Sequence, residues 1–282
     1  MTEPTLENGS GSRRSFLTAT AAAGFTLAVR PLSAETIMTP DDGLEAGMIT
    51  AIGADGPVPS YRAKPKGSTK APVIIVIHEI FAVHEHIKDV CRRLAKLGYY
   101  AIAPDLFARY GDATKITDFK VLINDFAAKV PDEQAMHDID AAVAFAKGDG
   151  GDKGRLGITG FCWGGRIVWL YAEYSPQVKA GVAWYGRVVG DPTPLQPKSA
   201  LDLVAGLRAP VLGLYGGADT GIPVASLDQM KKAADAAGKS VEFVVYPDTP
   251  HAFFADYRPS YTEKSAKDGW ARLQAWFKAN GV

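Results

Sequence analysis

Cys162 stands in Gly160-Phe161-Cys162-Trp163-Gly164, where glycines two residues to either side of a nucleophilic residue type form a G-x-nucleophile-x-G spacing. Sulfur attacks as the thiolate, so such a cysteine needs a base to take its proton and a third group to orient that base. Both residue types follow in the chain. Asp219 closes Val211-Leu212-Gly213-Leu214-Tyr215-Gly216-Gly217-Ala218-Asp219, an apolar run that enters a glycine-rich turn. His251 lies in Tyr246-Pro247-Asp248-Thr249-Pro250-His251-Ala252-Phe253, directly after the apolar run 241–245. Taken singly, each has a plain structural explanation: a small packed thiol, a turn aspartate, a solvated loop histidine. In the order nucleophile, acid, histidine, each beyond the end of a separate apolar run, they point to covalent attack on a carbonyl carbon.

Three such side chains meet only if the elements carrying them are arranged in one way. Residues 154–159 read as a strand and 165–172 as a helix, so Cys162 sits in a strand-turn-helix elbow. An elbow this tight strains the backbone at the nucleophile, and side chains at Gly160 or Gly164 would collide with the neighbouring strand and helix. From residue 73 onward short apolar runs alternate with amphipathic stretches: 73–77, 99–103, 155–159, 178–184, 211–215 and 241–246, with helices expected over 87–97, 132–147, 165–174 and 261–279. That alternation predicts an α/β chain with a mostly parallel sheet covered by helices on both faces. Residues 47–52 and 58–64, around Asp55-Gly56-Pro57, predict an antiparallel hairpin at the sheet edge. The C-terminal edge of such a sheet is where ligands bind.

Several segments together make the reading specific. His78-Glu79-Ile80-Phe81, Ala103-Pro104-Asp105-Leu106-Phe107-Ala108-Arg109, Gly160-Phe161-Cys162-Trp163-Gly164-Gly165, Tyr215-Gly216-Gly217-Ala218-Asp219 and His251-Ala252-Phe253 resemble the dienelactone hydrolase (carboxymethylenebutenolidase) family, over roughly residues 45–282. The resemblance implies the α/β-hydrolase fold and a cofactor-free hydrolase of small carboxylic esters or lactones, working through Cys162, Asp219 and His251. It implies that Glu79 touches the resting thiol, where its charge disfavours thiolate until substrate arrives. It also implies that the backbone N–H groups of Ile80 and Trp163 hold the oxyanion, and that Arg109 pairs with a substrate carboxylate. Members acting on dienelactone carry a second arginine four residues after the histidine. Here that position is Ala255, with Arg258 nearby but out of register. A lactone, a simple ester and a thioester therefore all remain open as substrates, and a non-catalytic binding protein on the same scaffold is the alternative from another class.

The remaining features frame this reading. The chain has 282 residues, 47% of them hydrophobic, enough apolar surface for a good core. Thirty-one basic residues balance thirty-one acidic ones, with no basic run suited to nucleic acid or an anionic membrane surface. Ser12-Arg13-Arg14-Ser15-Phe16-Leu17, the apolar run 18–29 and Pro31-Leu32-Ser33-Ala34 read as a twin-arginine (Tat) signal over residues 1–34. The mature domain is then 35–282, the Tat translocase is a transient partner, and the expected address is periplasmic or secreted, without stable membrane insertion. Only Cys91 and Cys162 are present, so no disulfide framework is expected, and Cys91 reads as a packed apolar residue of the helix at 87–97. His78, His84 and His86 are close in sequence, but their spacing is not that of a zinc site, and no metal is expected.

Overall fold

The computed structural model describes residues 38–282. The export signal read over residues 1–34 lies outside the described residues. Strand β3 (Ala71–Ile77) carries no polar side chain, and Val73 to Ile77 are fully buried. A continuous apolar run of this kind suits a strand that is covered on both faces. Around it lie β1 (Leu44–Gly53), β2 (Gly56–Pro65), β4 (Tyr100–Pro104), β5 (Gly151–Phe161), β6 (Val178–Trp184), β7 (Val211–Gly216) and β8 (Val241–Tyr246). The described residues form an eight-stranded sheet in the order β1-β2-β4-β3-β5-β6-β7-β8. From β4 to β8 every neighbouring pair is parallel. The β1–β2 hairpin is antiparallel and attaches to β4 antiparallel, at the edge where the sequence predicts it. Its turn is tighter than expected: Gly53 pairs with Gly56, which takes φ 112°, a left-handed conformation suited to glycine.

The crossovers are helical: α1 (Glu85–Lys96), α2 (Asp132–Gly148), α3 (Trp163–Tyr174), α4 (Val224–Ala236) and α5 (Glu263–Ala279). Helix α1 shows why amphipathic periodicity was legible, since Ile87, Val90, Cys91 and Leu94 all face the core at helical spacing. Cys91 is wholly buried there, and burial pushes its thiol pKa well up. Helix α4 has no counterpart in the sequence reading, because its buried stripe is only Leu227, Met230 and Ala234. A three-residue stripe is a weak periodic signal.

Sheet order places the site. The chain passes from β3 to β4 on one side and then returns across β3 to β5, from which it continues outward to β8. Right-handed crossovers in the two directions lie on opposite faces, so a crevice opens between the exits of β3 and β5. His78, Glu79 and Ile80 follow β3, and Cys162 follows β5. The exits of β7 and β8 lead to Asp219 and His251 on the same edge. Fold and layering are thus those of an α/β-hydrolase.

Candidate active site

Cys162 has φ 56° and ψ −116°, a strained conformation for a residue with a Cβ. Such strain costs on the order of 1–3 kcal/mol and persists only where the surroundings dictate it. They do so through hydrogen bonds on both sides: Cys162 N donates to Trp184 O of β6 at 3.0 Å, and Cys162 O accepts from Gly165 N and Arg166 N at the start of α3. The glycines allow the close approach. A Cβ on Gly160 would lie 2.5 Å from Gly164 O, and one on Gly164 would lie 2.5 Å from the carbonyl oxygens of Ile77 and His78. The elbow therefore packs β5, α3 and the end of β3 backbone to backbone, which leaves Cys162 half-buried at the crevice.

His251 and Asp219 are both buried, and His251 Nδ1 donates to Asp219 Oδ2 at 2.6 Å. The other carboxylate oxygen accepts from Gly221 N at 2.9 Å, so Asp219 is held from two directions. Burial disfavours the imidazolium, yet the Cys162 sulfur, the Asp219 carboxylate and hydrogen bonds to both side chains outweigh it and raise the His251 pKa to about 10. Both neighbours thus favour the protonated ring. Tyr185, just past β6, stands edge-on to the ring at 5.0 Å between centroids. It has φ 38°, is fully buried, and its hydroxyl lacks a hydrogen-bond partner among the described residues. The sequence reading passed over Tyr185, whose one signal is its place at the end of a parallel strand.

Glu79 is buried, and Oε2 accepts from Tyr257 Oη at 3.3 Å and lies 3.4 Å from His84 Nε2. Burial would raise its pKa, but the hydrogen bond from His84 and the charge of Arg258 bring it down to about 2. The hydrogen-bond partners of Glu79 are Tyr257 and His84. Its charge is taken up by a buried cluster. Arg258, also buried, faces Glu79 electrostatically and feels the Cys162 sulfur as well. Its guanidinium lies 4.4 Å from the Phe81 ring centroid and 4.8 Å from that of Tyr257. The neighbouring His86 lies 3.4 Å from Asp256, and His78 Nε2 accepts from Leu106 N at 3.1 Å. The three histidines thus serve separate partners, and among the described residues no His, Cys, Asp and Glu cluster is arranged to hold a metal ion.

Arg109 is the residue the fold does not bring in. Its guanidinium is forked onto the Asp138 carboxylate of α2, with Nη2 at 2.8 Å from Oδ1, and it is absent from the walls of the crevice. Two of its five N–H donors are thus engaged by a buried carboxylate, away from the residues that line the crevice. Cys162, Ile80, Trp163 and His251 do share one cavity of about 480 Å³. Trp163 is the first residue of α3, where an N–H has no acceptor inside its own helix. The Ile80 amide has no backbone acceptor among the described residues. Both residues line the same cavity as Cys162.

Comparison with known proteins gives the family. Residues 58–281 match the model of the Dienelactone hydrolase family. A Methylorubrum extorquens protein provisionally named carboxymethylenebutenolidase is 59% identical over 273 residues, covering 96% of this chain and 94% of that protein. A protein of the same provisional name from Salmonella typhimurium is 53% identical over 267 residues, covering 94% and 98%. Among solved structures, a provisionally named dienelactone hydrolase from Klebsiella pneumoniae subsp. pneumoniae MGH 78578 superposes with a TM-score of 0.82 at 50% identity. It covers 83% of this chain and 98% of that one.

Proposed function

The chain belongs to the dienelactone hydrolase family and is a carboxylic ester hydrolase, and from that premise we propose that it cleaves esters or lactones through an acyl-cysteine intermediate on Cys162. The observation that carries this reading is the buried His251–Asp219 hydrogen bond, with the imidazole made strongly basic beside Cys162. His251 Nε2 takes the thiol proton as Sγ attacks the carbonyl carbon and the C–S bond forms. The Ile80 and Trp163 N–H groups receive the oxyanion, whose charge they stabilise without rearranging. Collapse breaks the ester C–O bond, and His251 returns the proton to the leaving oxygen. Water then attacks the thioester while His251 takes its proton; the acid departs and the thiol re-forms.

Glu79 acts one step back. As a buried anion in one cluster with Arg258 it opposes the resting thiolate, and the charge of Arg258, which acts on both Glu79 and the sulfur, tempers that opposition. Export through the Tat translocase to the periplasm or medium completes the proposal, on the strength of Ser12-Arg13-Arg14-Ser15-Phe16-Leu17 and the apolar run behind it.

The test is Cys162→Ala on purified protein. Alanine keeps a Cβ at the strained position, so circular dichroism stays as in wild type while ester turnover falls by roughly 10⁴-fold or more. Wild type mixed with p-nitrophenyl acetate and quenched within the first turnovers carries an acetyl group on the Cys162 peptide by mass spectrometry. Turnover within a few-fold of wild type in the alanine variant overturns the nucleophile assignment.

A further inference from the structure

The cavity above Cys162 is much roomier than the reacting bond requires. At roughly 30 Å³ per water-sized group, its 480 Å³ has space for on the order of sixteen such groups. Much of its lining is apolar: Phe119, Ile123, Ala127, Val189 and Ile222. These walls are tied together. Leu122–Ala127 is a π-helical turn, and the carbonyls at its C-terminal end have no acceptor role inside it. Gln196 Nε2 answers by donating to Ala127 O at 2.7 Å and Val130 O at 3.1 Å. Arg166, four residues past the nucleophile, grips Asp132 with both ends of its fork at 2.6 and 2.8 Å and also donates to Lys198 O. The loop carrying residues 187–198 and the segment carrying 119–128 are thereby fixed across the cavity from the elbow itself. The exposed lining residues Arg187, Lys198 and Asp191 carry charges of both signs.

We propose that this cavity is an acyl-binding site and that the substrate class is esters of medium-length, uncharged apolar acyl groups, not compact lactones. The inference rests on the acyl-cysteine reading above. The acyl part is assigned to the cavity because it stays bonded to sulfur after the alcohol has left. Walls that hold it assist both halves of the reaction.

The experiment compares kcat/KM of the full-length protein for p-nitrophenyl acetate, butyrate and octanoate below their micellar concentrations. Burial of methylenes raises the octanoate-to-acetate ratio to about tenfold or more, chiefly through KM. At Ile123 and at Ala128, both of which line the cavity, Ile123→Trp and, separately, Ala128→Phe fill the space and pull that ratio back by at least about fivefold. The use of two positions guards against one variant misfolding, and the ratio is insensitive to the fraction of active protein. A wild-type ratio of one or less, or a ratio untouched by both substitutions, overturns the proposal. Calorimetric titration of octanoate and of acetate into Cys162→Ala needs no turnover: octanoate binds and acetate does not. Equal behaviour of the two acids overturns the acyl site, whereas failure of the hydrolase reading shows as ester turnover that survives Cys162→Ala.

Discussion

The basicity of His251 is set by its neighbours and not by its burial, which acts against it. Its pKa of about 10 depends first on the Cys162 sulfur among the favourable contributions, then on Asp219. In Cys162→Ala the ring therefore titrates distinctly lower, as followed by NMR of its carbon-bound protons; an unaltered titration removes the sulfur from the account. The same raised value ties stability to pH. The contribution of this pairing is fully present below the unfolded value of 6.5 and is lost as the pH climbs through about 10. At Glu79 the argument concerns charge. Glu79→Gln leaves Arg258 unopposed beside the sulfur, so iodoacetamide modifies Cys162 at least about threefold faster near neutral pH. Peptide mass spectrometry reads the rate, with the fully buried Cys91 as internal reference. Equal rates in both proteins leave Glu79 a role only in anchoring Tyr257 and His84.

The elbow works as an element because three backbones touch at its glycines. Gly164 faces two carbonyl oxygens of the β3 exit, and neither belongs to a side chain able to swing away. Gly164→Ala is expected to lower the unfolding free energy by about 2–4 kcal/mol in urea titrations. Gly47 in β1 has open space around its would-be Cβ and an ordinary φ, so Gly47→Ala stays within about 0.5 kcal/mol of wild type. If the two substitutions proved alike, close packing at the elbow would not be what holds the nucleophile. Helix α3 adds a second function to the first: its opening residue, Trp163, lines the cavity, and Arg166 on its first turn braces the cavity walls.

At the scale of the whole molecule, the sheet edge gathers functional groups from four strand exits, while the described residues contain no helix long and apolar enough to cross a membrane. The twin-arginine proposal concerns the first residues alone. Replacing Arg13 and Arg14 together by lysine is expected to keep the protein, with its leader uncleaved, in the cytoplasmic fraction of a Tat-competent bacterium. Fractionation and immunoblotting measure this. Undiminished appearance outside the cytoplasmic membrane would reject the twin-arginine proposal and leave ester hydrolysis untouched.

What the chain itself determined is whatever has a local cause. Apolar runs such as residues 73–77 needed no partner to be recognised as buried strands, and the glycines at 160 and 164 announced a tight elbow around Cys162. The order Cys162, Asp219, His251 then followed from residues placed one after another at strand ends. Tertiary structure alone decided what depends on distant pairing. Tyr257 reaches Glu79 across 178 residues, and Arg109 meets Asp138 on a helix that carries no sign of that partnership in its sequence. The cavity belongs to the same class, since Gln196 supports a turn sixty-nine residues upstream at Ala127. A motif records what one stretch of backbone requires, but which side chain neutralises a buried charge is settled only when packing brings the candidates within hydrogen-bonding distance.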